Sequence, residues 1–578
     1  MTPAGLQTRA ELARRRIFVV ALNLGVYAGL CLWLARILGA GGWSALDIAF
    51  FVCFLVSSPW ATLGFVNALI GLWLTRFRSD GLASAAPFAA AGARDVRLAE
   101  RHALVMTVRN EDVSRAVGRF RLMEAELSAT QDGRRFSYHL LSDTSDEATG
   151  AAEARAIEDW RAARVEIAAR IHYRRRTGNS GFKAGNISEF CARCAGDYDC
   201  MILLDADSFM RAEAVLLLAR IAEAHPKIGI LQSLVVGAPS RAGFARLFQF
   251  GMRAGMRSYT MGAAWWGADC GPFWGHNGLV RIRPFLAHCE LPVLPGGPIL
   301  SHDQIEAALM RRANFEVRVL PLEIGSFEEN PPDMVEFSNR DLRWCQGNMQ
   351  YWRLLGLPGL PPVSRFQLVW AISMFLGLPA SQIMLLLGAL KPFDGEAATA
   401  FPAASAIAFY CAYLVIGLAP KLAGYADVLL GADTARYGGL PRFCAGAACE
   451  IAASYLLSAA TAFRTSLFLV GLPFGRDLSW GGQNRDARDL TLAAAAAPFW
   501  PGALFGLALL ALLAIGAPCA VVFALPFVAG LVLAIPFAKF TAAPALGRFM
   551  RARGLCATPE EVAGDWPLAS ENDRKKHD

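Results

Sequence analysis

The residues best suited to chemistry in this chain are Asp205 and Asp207, which follow the short apolar run Met201–Leu204. An apolar segment that stops at acidic residues is typical of a buried parallel strand whose carboxyl end reaches an active-site edge. Two carboxylates separated by one residue can bind one hard divalent cation through their oxygens. Aspartates also favour the first turn of a helix, so a purely structural interpretation stays open on this motif alone.

Other polar residues follow further predicted strands of the same region. Asn110 and Glu111 follow the first predicted strand, His102–Val108, and Asp143 follows the second. Because the carboxyl ends of parallel strands meet at one edge of a sheet, we expect these side chains to share a cleft with the two aspartates.

Two loops could bind a ligand in that cleft. The first, Arg174–Asn186, is rich in glycine and positive charge and contains Lys183, and such side chains bind phosphate oxygens. It lacks the order of a Walker loop, and a solvated basic loop is the alternative. The second, Gly271–Asn277, has the glycine and aromatic content typical of a sugar subsite, although packing against a membrane-facing side explains it equally well.

Two further segments carry candidate residues. Asp303 stands just before the predicted helix Gln304–Ala313, where it could be an N-cap or a general base. Arg340 and Arg343 share one helical face, and Trp344 adds a flat apolar surface. An anchor at the membrane surface is the alternative for this last group, because Trp and Arg are frequent there.

The elements that position these residues are predicted from composition. The chain has 578 residues, of which 54% are hydrophobic and 18% charged, so a membrane portion must accompany a polar one. The net charge of +7 is mild and there is no long basic stripe, which excludes nucleic acid as an expected partner. Thirteen cysteines show no dense disulfide framework.

Apolar and polar stretches divide the chain into six parts, and arginines flanking the first two apolar segments place the N-terminus and the polar region in the cytoplasm. Strand-length runs alternate with amphipathic stretches in the polar region, which predicts an α/β domain with a mainly parallel sheet. Whether six or eight helices span the membrane stays open. The predicted parts are a transmembrane hairpin (1–80), the cytosolic α/β domain (98–355), a second hairpin (366–420), an interfacial helix with a polar loop (442–490), a third hairpin (497–538) and a cytosolic tail (539–578).

Together these pieces resemble the processive family-2 glycosyltransferases, the membrane synthases that include cellulose, chitin and hyaluronan synthases. The resemblance rests on Asp143, K-A-G-N at 183–186, D-A-D at 205–207, S-H-D at 301–303 and R-D-L-R-W at 340–344. The runs G-H-N, S-F-E-E-N-P-P and R-W-C-Q-G-N look like the glucosyltransferase H branch, which makes osmoregulated periplasmic glucans. The similarity covers roughly Arg101 to Asp489.

The resemblance implies a GT-A-like nucleotide-sugar transferase domain inserted in a bundle of transmembrane helices, in the bacterial inner membrane. The donor would be UDP-glucose, and the product a growing linear β-1,2-glucan chain exported through the bundle. Periplasmic proteins that modify the glucan would be further partners. By the same resemblance, Asp143 would contact the uracil, with Asn110 and Glu111 near the same nucleotide, and Lys183 would support its phosphates.

The resemblance also assigns the reacting groups. Asp205 and Asp207 would hold Mg²⁺ or Mn²⁺ against the diphosphate, and Asp303 would be the base that accepts the proton of the acceptor hydroxyl. Arg343 would meet the departing UDP, and Trp344 would stack on the terminal glucose.

This chain departs from the cellulose-type pattern at two motifs. T-E-D becomes S-H-D, with the aspartate kept, and the glutamine of Q-x-x-R-W becomes Arg340. Contacts of that glutamine therefore cannot be transferred, and linkage geometry is open. The loop Gly475–Asp489, with Trp480 and Arg485, has the position of a gating loop that closes over bound UDP-sugar.

Three alternatives remain beside this prediction. One is the synthase of a different, cellulose-like β-glycan. A polyprenyl-phosphate glycosyltransferase would share D-x-D and the fold but would lack the R-x-x-R-W helix. A transporter with a nucleotide-sensing domain would not need Asp303.

Overall fold

A computed structural model describes residues 6–395, 401–475, 478 and 487–568 of this chain. An α/β domain occupies the middle of the chain, and long apolar helices precede and follow it. All thirteen cysteines are free thiols, as expected from their spacing.

The α/β domain is built on a sheet of seven strands in the order β3-β2-β1-β4-β8-β6-β9, in which only β8 runs antiparallel to its neighbours. The prediction of a mainly parallel sheet is therefore confirmed. A smaller sheet, in the order β5-β10-β7, lies beyond the carboxyl end of β4. The strands are β1 His102–Val108, β2 Phe136–Ser142, β3 Ile171–Arg175, β4 Cys200–Asp205, β5 Phe209–Met210, β6 Ile228–Ser233, β7 Val236–Gly237, β8 Gly278–Arg281, β9 Glu316–Leu320 and β10 Ser326–Glu328.

Helices cover both faces of the large sheet and form the apolar part of the chain. They are α1 Arg9–Leu38, α2 Ala45–Ser57, α3 Pro59–Phe77, α4 Gly81–Ala85, α5 Ala89–Gly92, α6 Val113–Ser128, α7 Glu147–Ala163, α8 Phe182–Cys194, α9 Ala212–Ala224, α10 Gly243–Gly267, α11 Ile282–His288, α12 Asp303–Arg312, α13 Met334–Met349, α14 Pro362–Leu390, α15 Ala403–Leu430, α16 Leu440–Gly471, α17 Leu492–Gly516, α18 Val521–Val532, α19 Ala534–Ala542, α20 Pro544–Arg553 and α21 Pro559–Ala563.

Strand β4 shows why the polar side chains of the sheet lie at one edge, at the carboxyl ends of the parallel strands. Its residues from Cys200 to Leu204 are buried, because helices pack on both faces of a parallel sheet, and burial decreases only at Asp205. The strands on its β1 side run parallel to it, so their polar carboxyl ends reach the same edge.

The described apolar part contains five helices long enough to cross a membrane, and seven spans if two bent helix pairs are each counted as one. The predicted apolar segment Ile48–Leu74 falls on two helices, α2 and α3, which meet at a 43° bend. The bend lies at Pro59, because proline lacks an N–H for the preceding turn. Similarly, α18 and α19 meet at 58°, within the predicted segment Cys519–Ala538.

Helix α16 is tied at both ends to segments outside the apolar bundle. Near its start, Cys556 donates from Sγ to the backbone oxygen of Gly446 at 3.7 Å. Near its end, Arg464 donates to Asn339 of α13 at 2.7 Å, and Thr465 donates to Asp341 at 3.0 Å. The same helix is one of the five that are long and apolar enough to cross a membrane, so its interfacial placement stays a prediction.

Candidate active site

A cavity of about 260 Å³ lies at the carboxyl ends of the parallel strands. Its wall contains side chains from the strand ends, from the loop before α12, and from α13. The structure thus gathers residues that are more than 230 positions apart in the chain, as Glu111 and Trp344 are. The predicted site residues that line it are Glu111, Asp143, Lys183, Asp205, Asp207, Asp303, Arg340, Arg343 and Trp344.

Asn110 does not line this cavity, although it was predicted beside the nucleotide. Its side chain donates to Ser145 at 3.1 Å and accepts from the backbone N–H groups of Ser145 and Asp146, both at 3.1 Å. It therefore shapes the loop after β2, with a positive φ of 52° that asparagine tolerates better than most residues. Trp480 and Arg485 lie outside the described residues.

Asp143 is buried at the end of β2 and held by a guanidinium fork. Arg176 donates to both carboxylate oxygens, from Nε at 2.8 Å and from Nη2 at 2.9 Å, and Asn186 donates to Oδ1 at 2.8 Å. Two parallel charge-assisted hydrogen bonds fix the plane of the carboxylate as well as its position. The sequence does not distinguish Arg176 from the other arginines of its basic run, because only the folded structure shows which of them contacts Asp143.

Lys183 lies between Asp205 and the loop before β8. Its Nζ donates to Asp205 Oδ1 at 2.6 Å and to the backbone oxygen of Gly275 at 2.9 Å. Burial alone would lower the pKa of Lys183, but the nearby carboxylates, Asp205 foremost, raise that pKa above its ordinary value. A fixed ammonium group at this place can bind phosphate oxygens.

Asp205 and Asp207 suit a hard cation by their chemistry and exposure. Both are partly exposed, and both face the cavity. Among the described residues, the clusters of three potential metal ligands are Glu100–His102–Glu223 and His302–Asp303–Glu306. Neither includes Asp205 or Asp207, although His302 and Asp303 line the same cavity. Two carboxylates without a preformed cage fit Mg²⁺ or Mn²⁺, because Mg²⁺ is usually held by one or two carboxylates, substrate phosphates and water.

Asp303 is the first residue of α12, and the N-cap position belongs to His302. The N-cap alternative for Asp303 is therefore wrong. Within the described part of the chain, its Oδ1 is buried and accepts no hydrogen bond. The loop before β8 makes room for it, because a Cβ at Gly275 would lie 2.0 Å from this oxygen. A buried carboxylate oxygen without a donor is ready to accept a proton from a bound hydroxyl.

His302 places a positive charge beside Asp303. Its Nδ1 lies 2.9 Å from Glu306 Oε1 and 3.4 Å from Asp303 Oδ1. Burial opposes the charged imidazole, but the two carboxylates outweigh it, chiefly Glu306, and raise the pKa of His302 to about 9. This side chain, where cellulose-type relatives carry glutamate, is thus an imidazolium at neutral pH.

Helix α13 is fixed against the loop that carries the candidate base. Tyr351, just beyond the helix, donates to the backbone oxygen of Ser301 at 2.7 Å, and Leu300 donates from its backbone to Gln350 at 2.8 Å. A Cβ at Gly347 would lie 2.1 Å from Ser301 Oγ, so glycine permits this approach. Gly347, Gln350 and Tyr351 together hold the end of α13 against the loop that carries Asp303.

The guanidinium of Arg340 lies 4.6 Å from the ring centroid of Trp344, which is 44% exposed. Both side chains line the cavity together with Arg343. Their location there supports a role in the site over the membrane-anchor alternative. A partly exposed indole ring at a cavity wall can stack on a sugar.

The structure adds two residues to the site, His276 and Glu328. The Nε2 of His276 lies 3.4 Å from Glu328 Oε2, and both side chains line the cavity. Burial opposes the charge on His276, but Glu328, Asp205 and Asp207 raise its pKa overall. Burial and the two aspartates also raise the pKa of Glu328, against the opposing effect of His276. The G-H-N and E-E-N-P-P runs were visible in the sequence, but nothing there showed that they meet.

Comparisons with known proteins show similarity to glycosyltransferases over most of the chain. The family model "Glycosyl transferase family group 2" matches residues 200–419. Glucans biosynthesis glucosyltransferase H of Caulobacter vibrioides is 34% identical over 88% of this chain and 78% of its own length. The protein of the same name from Vibrio cholerae is 31% identical over 95% of this chain and 77% of its own. Among solved structures, the mannosyltransferase PcManGT of Pyrobaculum calidifontis, in complex with GDP-Man and Mn²⁺, is 13% identical, with a TM-score of 0.38 over 63% of this chain and 99% of that one.

Proposed function

Because this chain belongs to the family of the glucans biosynthesis glucosyltransferase H proteins, we propose that it polymerises glucose from UDP-glucose into a linear β-1,2-glucan. The family relationship and the mainly parallel sheet confirm the predicted GT-A-like fold class. Membership also makes the chain a family-2 glycosyltransferase. The donor, the linkage and the export of the product are the parts that we propose.

One observation carries this proposal. The buried Oδ1 of Asp303, which accepts no hydrogen bond within the described part of the chain, lies at the same cavity as Asp143, Lys183 and the two aspartates of D-A-D. A glycosyltransferase needs a general base for the acceptor hydroxyl, a site for the diphosphate and a contact for the nucleobase, and this cavity holds a candidate for each. A transporter with a sensing domain would not need a general base.

The donor would be bound by charge and shape. Asp143, held rigid by Arg176, would accept a hydrogen bond from the uracil, and Lys183 would donate to the diphosphate. Asp205 and Asp207 would hold Mg²⁺ or Mn²⁺, which when bound neutralises charge that grows on the leaving diphosphate. Arg343, which also lines the cavity, would bind the departing UDP.

The acceptor would be bound by α13 and the loop before α12. Trp344 would stack on the terminal glucose and present its hydroxyl to Asp303, which would accept the proton as that oxygen attacks the anomeric carbon. Attack from the face opposite the leaving group inverts that carbon, so an α-linked donor yields a β-linked product. Glu111 lines the same cavity, and we assign it to the nucleotide.

The apolar helices would place this site beneath a bilayer. We propose that the chain lies in the bacterial inner membrane, with the α/β domain in the cytoplasm and α16 along the interface. Six spans then remain: α1, α2–α3, α14, α15, α17 and α18–α19. A glucan is too polar to cross hydrocarbon, so we propose that the bundle conducts it outward as it grows. Periplasmic proteins that modify the glucan would act on it after export.

The test is synthesis by the purified full-length protein in detergent, with radiolabelled UDP-glucose and Mg²⁺ or Mn²⁺, followed by linkage analysis. We expect a polymer of β-1,2-linked glucose, and none from UDP-N-acetylglucosamine. Asp303→Asn should abolish polymer while UDP still binds, because only the proton acceptor is lost. Polymer made at the wild-type rate by this variant, or a product of other linkage, would refute the assignment.

A further inference from the structure

A second cavity, of about 540 Å³, lies between the start of α1, the short helix α4 and the end of α10. It shares no lining residue with the candidate active site. Its volume is within the range of about 300–1,000 Å³ that is usual for ligand sites. The proposed reaction makes no use of this cavity, so its ligand must be inferred from its walls.

Helix α1 gives the cavity a charged end and an apolar end. The residues of α1 that line it are Glu11, Arg14, Arg15 and Phe18, which share one face of the helix. From Ile17 onward α1 is largely apolar, and the side chains of Ile17 and Phe18 are 68% and 53% exposed, as expected where a helix faces lipid. Glu11 and Phe18 are about 10 Å apart along the helix axis, and one headgroup layer of a bilayer is about 5–8 Å thick. The cavity therefore extends from the level of the headgroups to the edge of the hydrocarbon.

The charged side chains of the cavity wall do not balance one another. Arg15 pairs with Glu11, and Arg78 donates to the two carboxylate oxygens of Asp80 at 2.8 and 2.6 Å. Arg14 is exposed and makes no hydrogen bond or ion pair with any described residue. Three arginines against two carboxylates give the wall a net charge of +1, which matches the single negative charge of a phosphodiester.

Hydrogen bonds fix the side of the cavity that faces α1. The backbone oxygen of Ser84 accepts from Arg15 at 2.9 Å and from the side chain of Gln7 at 3.2 Å. The hydroxyl of Ser84 accepts from the indole of Trp265 at 3.2 Å. The ring of Phe18 packs edge-on against the same indole, with centroids 6.3 Å apart. Because these contacts hold the walls in place, a ligand would order few side chains on binding, which favours affinity.

We propose that this cavity binds the headgroup of an anionic phospholipid, with the phosphodiester beside Arg14 and the acyl chains leaving past Phe18. A guanidinium can bind two phosphate oxygens at once, and arginine and tryptophan are frequent at the membrane surface. A soluble phosphate compound would leave the apolar end of the cavity uncovered, whereas a lipid covers both ends. The inference requires that α1 crosses the membrane, and it is independent of the reaction proposed above.

Native mass spectrometry of the purified full-length protein in detergent tests this proposal, by titration with dioleoyl phosphatidylglycerol or dioleoyl phosphatidylcholine. Arg14→Gln should weaken the binding of the first phosphatidylglycerol about fivefold, because it removes one cation beside an anionic headgroup. The binding of phosphatidylcholine, which has no net charge, should not change. Arg14→Lys should bind phosphatidylglycerol almost as the wild type does, because it keeps the charge.

Arg9→Gln is the matched control, because Arg9 is an exposed arginine of the same helix that does not line the cavity. Its affinity for phosphatidylglycerol should equal the wild-type value. An equal loss in Arg9→Gln and Arg14→Gln would assign the effect to surface charge and overturn the proposal, as would no loss in Arg14→Gln.

A competition experiment separates a lipid site from a site for a soluble phosphate compound. Glycerophosphoglycerol carries the same headgroup as phosphatidylglycerol but has no acyl chains. At a concentration equal to that of the lipid it should leave the lipid bound. Displacement of the lipid under these conditions would assign the cavity to a soluble phosphodiester and refute the lipid site.

Discussion

Replacing Gly275 by alanine tests how closely the candidate base is seated. A Cβ at this position would lie 2.0 Å from Asp303 Oδ1 and 2.5 Å from its Cγ, well inside contact distance. The backbone φ of +78° also lies in a region that costs a residue with a Cβ about 1–2 kcal/mol. The carboxylate or the loop must therefore move by more than 1 Å.

Such a displacement should be visible in the rate. Misplacing a reacting group by about 1 Å can cost about 100-fold, so we expect kcat for polymer synthesis to fall by about that factor. The fall should exceed what lost stability explains, since a loss of about 1–2 kcal/mol leaves a folded protein folded. Lys183, which donates to the backbone oxygen of Gly275, would move with the loop and raise KM for the donor.

The assay is initial-rate incorporation of glucose from UDP-glucose, with thermal unfolding measured in parallel. Gly196→Ala is the matched control: nothing lies within 4 Å of its added Cβ, and its φ is not positive. We expect this control to keep the wild-type rate. A Gly275→Ala protein that unfolds cooperatively and still works within about threefold of wild type would refute a tightly seated base.

Three further perturbations probe the same site. Arg176→Lys replaces a two-bond fork on Asp143 by a single ammonium contact and should raise KM for UDP-glucose about tenfold with kcat little changed, measured by initial rates. Gly347→Ala would push a Cβ to 2.1 Å from Ser301 Oγ, and should lower kcat by separating α13 from the base loop, measured the same way. The pKa of His302 is about 9 in the folded protein and about 6.5 in the unfolded chain, so the protonated imidazole stabilises the fold. This contribution to the free energy of unfolding is complete below about pH 6.5, is lost as the pH rises to about 9, and amounts to at most about 3 kcal/mol. Thermal unfolding of His302→Gln across this range should show a flatter pH profile than wild type, and parallel profiles would contradict the shift.

Several features of this protein follow from local patterns in the chain. Apolar runs of strand length that end in polar residues predicted β1, β2 and β4 and the edge where their ends meet. Runs of about 20 apolar residues predicted most of the long helices. These signals depend on periodicity and length, which neighbouring residues carry by themselves. The short motifs, read together, also pointed to the family.

Other features depend on contacts between segments far apart in sequence. Its position after a strand predicts that Asn110 lines the cleft, but its amide instead hydrogen-bonds to the loop after β2 and the residue does not line the cavity. The breaks at Pro59 and between α18 and α19 lie within runs whose composition looks continuous.

By itself the sequence determined the classes of element, their order and the acidic residues at strand ends, because each of these is set by residues a few positions apart. Only the tertiary structure showed that Arg176 hydrogen-bonds to Asp143 and that His276 contacts Glu328. It also showed that the glycines at 275 and 347 leave space for Asp303 and for the loop that carries it. Hydrogen bonds and ion pairs act over a few ångströms, so their partners are known only once the folded chain has brought distant segments together.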